Sequence, residues 1–323
     1  MPNAIQIHAT GGPEVLQWEP VAVGVPGPGE VRLRQHAVGL NFIDVYHRTG
    51  LYPQPLPFTP GVEGAGLVES VGDGVEHLKA GDRVAYAGPI GGYAEVRLID
   101  ADRLVKLPDD FGFDLAAAMM LQGMTARMLL RSVYPVAAGD MILVHAAAGG
   151  VGLILCQWAA ALGAFVIGTV STDDKAELAR AHGCQHPIVY TRQDFVAEVE
   201  QITSGAKLPV VYDSVGSDTF LRSLDCLRPR GLMVSFGQSS GPIAPFSPGL
   251  LQQKGSLFLT RPTLFHYIAS RAELEASATE LFEIVASGEV RIEVKQRFAL
   301  EQAAEAHRAL EARATTGSTV LTV

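Results

Sequence analysis

The stretch MILVHAAAGGVGLILCQWAAALGA, Met141 to Ala164, decides the fold. An apolar run, a cluster of small residues and a longer apolar run give a buried strand, a tight turn and a helix in succession. The small residues fall at Ala147-x-Gly149-x-x-Gly152, so alanine stands at the first position of a G-x-G-x-x-G spacing. Small side chains permit a sharp turn and a close approach of backbone to a pyrophosphate. The helix start at Ala148, Gly149, Gly150 and Val151 offers unpaired N–H groups at the positive end of a dipole. A glycine-rich turn alone would serve tight packing equally well; the order strand, turn, helix is what marks a dinucleotide site.

Outward from this stretch the pattern alternates. Strands are expected at about 141–146, 164–170, 187–190, 209–214, 231–236 and 256–260, with helices beginning near Gly149, Asp173, Arg192 and Asp218. Such alternation gives an α/β unit with a doubly wound parallel sheet. Ahead of it, Asp114 is expected to cap a helix running through LAAAMMLQGMTARMLLRSV. The first hundred residues read differently. Apolar-rich runs (Val31–Leu33, Gly66–Val71, Arg83–Tyr86, Ala94–Leu98) alternate with the breakers PGPGE, PQPLPFTPG, GDGVEHLKAGD and GPIGG, as in a small, barrel-like β domain. After Arg261 the alternation stops; a helix at about 271–287, the strand-like IEVKQRFAL, a short helix at 301–313 and STVLTV can return to complete that first domain. The expected division is 1–120 and 263–323 for the β domain, with 121–262 inserted as the α/β domain.

Composition narrows the function classes. The chain has 323 residues, 48% of them hydrophobic and 18% charged, enough for two domains with ample core. No apolar run reaches the roughly 18 residues of a membrane span, and MPNAIQIHATGG lacks the basic and apolar regions of a secretory signal. The net charge of −9 with dispersed lysines and arginines argues against nucleic acid as a partner. Cys156, Cys184 and Cys226 are odd in number and widely spaced, as in a reduced, cytoplasmic interior.

The strand FVIGTV bears on cofactor choice. An acid near its end would hold a ribose 2′-hydroxyl, whereas a 2′-phosphate wants small or cationic groups. The residues there are Ser171, Thr172, Asp173, Asp174 and Lys175. Ser171 and Lys175 favour NADP(H). Asp173 and Asp174 stand against it, though both also suit the first turn of a helix.

Several segments together resemble a known family: NFIDVYHRTGLYP (41–53), PGVEGAG (60–66), HAAAGGVG (145–152), VVYDSVG (210–216), GLMVSFGQSSG (231–241), QKGSLFLTRPTL (253–264) and RATTGSTVL (313–321). In this order, from end to end of the chain, they look like the NADPH:quinone oxidoreductases, the zinc-free, zeta-crystallin-like branch of the medium-chain dehydrogenase/reductase superfamily. The resemblance implies a GroES-like, mainly β catalytic domain split by a Rossmann domain, NADPH in the interdomain cleft, a quinone substrate and a homodimer. It implies that Asn41 lies beside the nicotinamide with Asp44, Tyr46 and Tyr52 on the same side, and that Thr125 contacts the nicotinamide end. It assigns Ser171, Lys175, Tyr190 and Arg313 to the 2′-phosphate, and Ser214, Phe236, Gly237, Ser240, Thr263 and Leu264 to the cofactor crevice. Plainer readings exist: tyrosines in Pro-rich loops often only pack, a mid-helix threonine bonds its own backbone, and Arg313 suits an exposed helix end.

TPGVEGAG (59–66) bears on a metal. Zinc-dependent relatives of this superfamily carry His-Glu in this turn and a Cys shortly before it. Here Val62 precedes Glu63 and no Cys occurs before residue 156, short of the three ligands catalytic zinc needs. Glu63 is therefore expected as a structural acid in a Gly-rich turn. The nine histidines show no ligand spacing, and no Ser lies in a G-x-S-x-G elbow. The sequence leaves open reduction of activated C=C bonds in enones or alkenals, and a non-catalytic NADPH-binding protein.

Overall fold

Strands run over Asn3–Gln6 (β1), Gln17–Pro20 (β2), Glu30–Leu40 (β3), Glu63–Val71 (β4), Arg83–Ala87 (β5), Val96–Asp100 (β6) and Val105–Lys106 (β7) in a computed structural model that describes residues 1–323. Six follow at Met141–Val144 (β8), Phe165–Val170 (β9), His186–Val189 (β10), Leu208–Asp213 (β11), Leu227–Ser235 (β12) and Phe258–Thr260 (β13), and two more at Val294–Ala299 (β14) and Ser318–Thr322 (β15). Met1–Met124, Ile268–Phe282 and Ile292–Val323 form one compact unit; Thr125–Tyr267 and Glu283–Arg291 form a second.

The first unit is built on β3. Its alternation of Val31, Leu33, Gln35 and Ala37 with more exposed residues sends one face inward. It pairs antiparallel with β4, β6 and β15, within a seven-stranded sheet ordered β14-β15-β3-β4-β5-β7 with β6 on β3. The last strand thus closes on the first long one, Leu321 opposite Val38. Val31, Leu33, Val68, Val84 and Leu104 fill one core, and Ile5, Ile7, Val38, Leu300 and Leu321 a second; each fully buried side chain contributes about 1.5–3 kcal/mol.

In the second unit all six strands are parallel, in the order β10-β9-β8-β11-β12-β13. Counted from β8, this is the doubly wound order whose switch point, between β8 and β11, opens a crevice at the carboxyl ends of the strands. Leu143, Ile167, Ile188, Val211 and Met233 pack from the sheet against Phe195, Val199 and Phe220 of flanking helices.

Local readings shift in three places. Asp114 does not cap a helix: Gly112 is the N-cap, Asp114 sits in the first turn, and its carboxylate accepts from Arg297 Nε at 2.9 Å. The expected long helix is broken into Phe113–Ala117, Met120–Arg127 and a wide-turned segment, Met128–Val133. The helices expected near Arg192 and Asp218 begin at Phe195 and Phe220, the first because Asp194 accepts from Val196 N–H at 2.9 Å as its cap.

Candidate active site and cofactor site

Asn41 leaves β3 in extended conformation and stands at the N-cap of the helix Phe42–Arg48. Its side chain makes one bond at each end: Nδ2 donates to Glu63 Oε2 at 2.7 Å, and Oδ1 accepts from Gln122 Nε2 at 3.0 Å, leaving a second N–H and a second lone pair. Its backbone N–H donates to Asp44 Oδ2 at 2.9 Å, tying the first helical turn back on itself. Asp44 Oδ2 also accepts from the Tyr93 hydroxyl at 3.1 Å, while Oδ1 has no hydrogen-bond partner. Asp44 is fully enclosed, so in this arrangement it supports Asn41 and offers no surface to a substrate. Burial pushes its carboxyl up to about 7.

Glu63 departs from its expected place. It is the first residue of β4, opposite Ala87, fully buried, and accepts from Leu121 N–H at 2.8 Å. The glycines that suggested a turn serve the sheet: a Cβ on Gly66 would strike the carbonyl of Arg34, and one on Gly64 would meet the Tyr86 hydroxyl at 2.6 Å. Burial, reinforced by the nearby charge of Asp44, pushes Glu63 up to about 8.

Behind Asp44 lies a chain that sequence reasoning missed. Arg48, only 1% exposed, donates to both Glu311 oxygens at 2.7 and 2.9 Å, to the Gly11 carbonyl at 3.1 Å and to His307 Nδ1 at 3.1 Å. A guanidinium only donates, so Nδ1 accepts and Nε2–H points to Tyr93 oxygen, 3.1 Å away. Tyr93 O–H is then left to donate to Asp44. Burial, with Arg48 adding, drops His307 to about 3 and keeps the ring neutral. Only the long sequence separation hid this chain.

Tyr46 and Tyr52 lie edge to face with ring centroids 5.1 Å apart, joined by Tyr52 N–H to the Tyr46 carbonyl at 3.0 Å. Tyr46 is buried and Tyr52 half-buried. His47 packs against Tyr52, and burial lowers it to about 4.

In the second unit the turn after β8 is strained. Ala146 adopts φ 54°, Ala147 N–H donates to the Thr169 carbonyl at 3.0 Å, and Gly149 N–H returns to the Ala146 carbonyl at 2.9 Å. A Cβ on Gly152 would run into that same Ala146 carbonyl. The twelve-residue helix Gly150–Ala161 has Gly149 at its N-cap and no side-chain cap, so no side chain competes for its first N–H groups. Ala148 is buried, whereas Gly149, Gly150 and Val151 are half-exposed. His145 anchors the turn: Nδ1 lies 2.8 Å from Thr169 Oγ1 and Nε2 2.8 Å from Ser223 Oγ. Ser223 already donates to the Thr219 carbonyl, so Nε2 carries the proton; burial lowers this imidazole's pKa.

Ser171 and Tyr190 immediately follow the paired strands β9 and β10, and Lys175 lies in the first turn of the helix Asp173–Ala181, capped by Thr172. These three therefore share one end of the sheet. Asp173, a candidate ribose acid, is held by Arg192 in a two-pronged ion pair of 2.7 and 2.5 Å. That pairing lowers the Asp173 pKa and supplies a cation the sequence reading overlooked. Phe236 N–H donates to the Asp213 carbonyl at 2.8 Å, and a Cβ on Gly237 would meet Ser214 O at 2.7 Å. Ser240 Oγ donates to the Val215 carbonyl and accepts from Asp218 N–H, fixing this loop. Thr263 and Leu264 follow β13, Leu264 being buried at the start of a short helix. Thr125 begins the second unit, while Asn41 and Arg313, the latter at φ 57° after the helix Ala303–Glu311, belong to the first.

Comparison with known proteins places this geometry. The alcohol dehydrogenase GroES-like domain matches residues 27–109 and the zinc-binding dehydrogenase family residues 150–283. A quinone oxidoreductase of Pseudomonas aeruginosa is 55% identical, covering 99% of each chain. The chain belongs to the quinone oxidoreductase family. A crystal structure of Escherichia coli quinone oxidoreductase complexed with NADPH superposes with a TM-score of 0.98 at 50% identity, covering 99% of this chain and 100% of that one. A 2-haloacrylate reductase from a Burkholderia species is 48% identical over 99% of each chain. This family member thus has the two-domain fold of its superfamily, a GroES-like domain and a parallel-sheet Rossmann domain. Its residues do not fit zinc: Val62 precedes Glu63, the carboxyl oxygens of Glu63 accept from Asn41 and Leu121, and no cluster of three His, Cys, Asp or Glu side chains could hold an ion.

Proposed function

We propose that the protein transfers reducing equivalents from NADPH to a quinone without a metal. The observation that carries this reading is end-to-end likeness, at half or more identity, to named quinone oxidoreductases, one of them complexed with NADPH. The uncapped helix start at Gly149 fits the pyrophosphate of such a cofactor. Ser171, Lys175 and Tyr190, at one end of the sheet, hold the 2′-phosphate, and Arg192 neutralises Asp173, one of the two acids that would compete for the ribose. Thr125, Ser214, Phe236, Gly237, Ser240, Thr263 and Leu264 line the rest of the cofactor.

NADPH supplies the hydride when bound; the chain supplies orientation and electrostatics. Asn41 holds the nicotinamide carboxamide, and Tyr46 and Tyr52 offer ring faces and hydroxyls to a flat quinone. Asp44 acts through Asn41, whose backbone it fixes. The buried, unlinked cysteines support a cytoplasmic setting. β13 supports a homodimer: it ends the six-stranded sheet with Phe258 61% and Leu259 38% exposed, an edge that a second copy would cover.

A second reading is reduction of activated C=C bonds, favoured by the likeness to 2-haloacrylate reductase. Steady-state NADPH oxidation with 1,4-benzoquinone, 9,10-phenanthrenequinone, 2-alkenals and 2-haloacrylate separates the two. Quinone turnover should dominate; alkenal or haloacrylate turnover far above it would replace the quinone assignment with the second one.

A further inference from the structure

Four side chains form one hydrogen-bonded row. Ser318 Oγ donates to Gln122 Oε1 at 2.7 Å, Gln122 Nε2 to Asn41 Oδ1 at 3.0 Å, and Asn41 Nδ2 to Glu63 Oε2 at 2.7 Å. Ser318, Gln122 and Asn41 are at most 7% exposed and Glu63 is fully enclosed, so each link must stay satisfied. An amide donates at one end and accepts at the other, so the row can run in either direction, but only as a whole. Its ends decide the direction. Ser318 Oγ lies 2.7 Å from Gln122 Oε1 and 3.0 Å from the Ala118 carbonyl. Its hydroxyl can donate to Gln122, or turn to Ala118 and accept from Gln122 Nε2. At the other end an ionised Glu63 only accepts. A neutral Glu63 can donate from Oε2 while Oε1 keeps its bond from Leu121 N–H.

We propose that protonation of Glu63 reverses this row, and that Glu63 is thereby a positioning residue setting whether Asn41 turns a donor or an acceptor toward NADPH. The second half rests on the assignment of Asn41 to the nicotinamide made above. The proton comes from solvent, and the reversal makes and breaks hydrogen bonds only. With Glu63 ionised, the row runs as drawn, from Ser318 to Glu63. With Glu63 protonated it runs from Glu63 to the Ala118 carbonyl, with no donor or acceptor orphaned. The charged and titratable groups around Glu63 are Asp44 from the helix Phe42–Arg48, Tyr86 from β5 and Tyr93, with Arg97 over the Tyr86 ring at 5.0 Å and Arg48 behind His307. Burial raises Glu63 to about 8, within reach of ordinary buffers.

The sequence contains two asparagines, Asn3 and Asn41, so selective 15N-asparagine labelling reports Asn41 almost alone. In the wild-type protein the Asn41 side-chain amide resonances should move between two limits as pH passes from 6 to 9, and in Glu63→Gln they should stay at the acid limit throughout. NADPH affinity, measured by calorimetry over the same range, should change by about threefold to tenfold in the wild type, the worth of one hydrogen bond, and remain flat in Glu63→Gln at the wild type's low-pH value. Asn41 resonances that do not titrate in the wild type, a reading that needs no variant, overturn the reversal. So does a Glu63→Gln profile that tracks the wild type. Titrating resonances with pH-independent NADPH affinity in both proteins overturn the assignment of Asn41 to the cofactor and leave the reversal standing.

Discussion

The pH dependence of stability in the first unit is set by four buried groups with opposite signs. Asp44 and Glu63 rise from their usual 3.8 and 4.5 to about 7 and 8; His47 and His307 fall from 6.5 to about 4 and 3. For the carboxyls, the raised folded values mean stability is fully present below about 4 and is lost as pH rises through 7 and 8. For the histidines, the depressed values mean stability is present above 6.5 and lost as pH falls toward 4 and 3. Between about 4.5 and 6.5 the folded state gains two protons at the carboxyls and forgoes two at the imidazoles, so the slopes cancel. Above 6.5 only the carboxyls titrate. Each proton contributes about 1.4 kcal/mol per pH unit. Two are then lost over the half unit to pH 7 and one over the next unit, a loss of roughly 3 kcal/mol by pH 8. The expected profile is a plateau from pH 4.5 to 6.5 and an alkaline fall. Trp18 lies in the first unit and Trp158 in the second, so Trp158→Phe makes fluorescence-detected urea unfolding report the first unit. An alkaline fall of the same size in Asp44→Asn/Glu63→Gln, or a wild-type midpoint unchanged from pH 6.5 to 8.5, would refute this reasoning.

Other perturbations follow from single contacts. Lys175→Ala should weaken NADPH by about tenfold, the loss of one charge-assisted bond, while NADH binding measured alongside stays unchanged; equal binding of both cofactors by the wild type would remove the 2′-phosphate site. Arg192→Ala should release Asp173 and narrow the NADPH preference, again by up to about tenfold, with Tm nearly unchanged because the pair is more than half exposed. Gly152→Ala should drive a Cβ into the Ala146 carbonyl, costing about 1–3 kcal/mol in thermal unfolding and most of the NADPH affinity. Arg48→Met should destabilise the first unit by about 3 kcal/mol in urea, near the low end for a broken buried pair, since Glu311 is 34% exposed and can rehydrate.

The sheet of the second unit was legible because its strands are mostly apolar runs bounded by small or capping residues, and all six fall within a few residues of their expected ends; β12 starts early because Leu227–Arg230 extends it ahead of its apolar run. The turn after β8 was legible for the same reason, Gly152 being demanded by its approach to the Ala146 carbonyl. The same signal misled at Glu63, since Gly64 and Gly66 make room for Tyr86 and for the backbone of β3 within a sheet. Asp114 misled because a helix acid suits the first turn as well as the cap, and its partner, Arg297, lies far along the chain. Arg48, Tyr93 and His307 carry no local pattern; only the pairing of distant segments assembles them. Arg192 carries no local signal either, since it meets Asp173 only across 19 residues of chain.

The antiparallel pairing of β15 with β3 has a consequence for biosynthesis. During translation the backbone groups of Gly39 and Leu40 that face β15 stay unpaired until Thr319 and Val320 leave the ribosome, after the whole second unit has been made. The second unit can fold first, on contacts of its own. Closing so long a loop adds little to the thermodynamic cost, which grows only with the logarithm of length, but it makes the first unit the late and slow step. Until then β3 offers an open edge to other nascent chains. Pairing of β15 with β3 is thus the step that closes this edge against other chains.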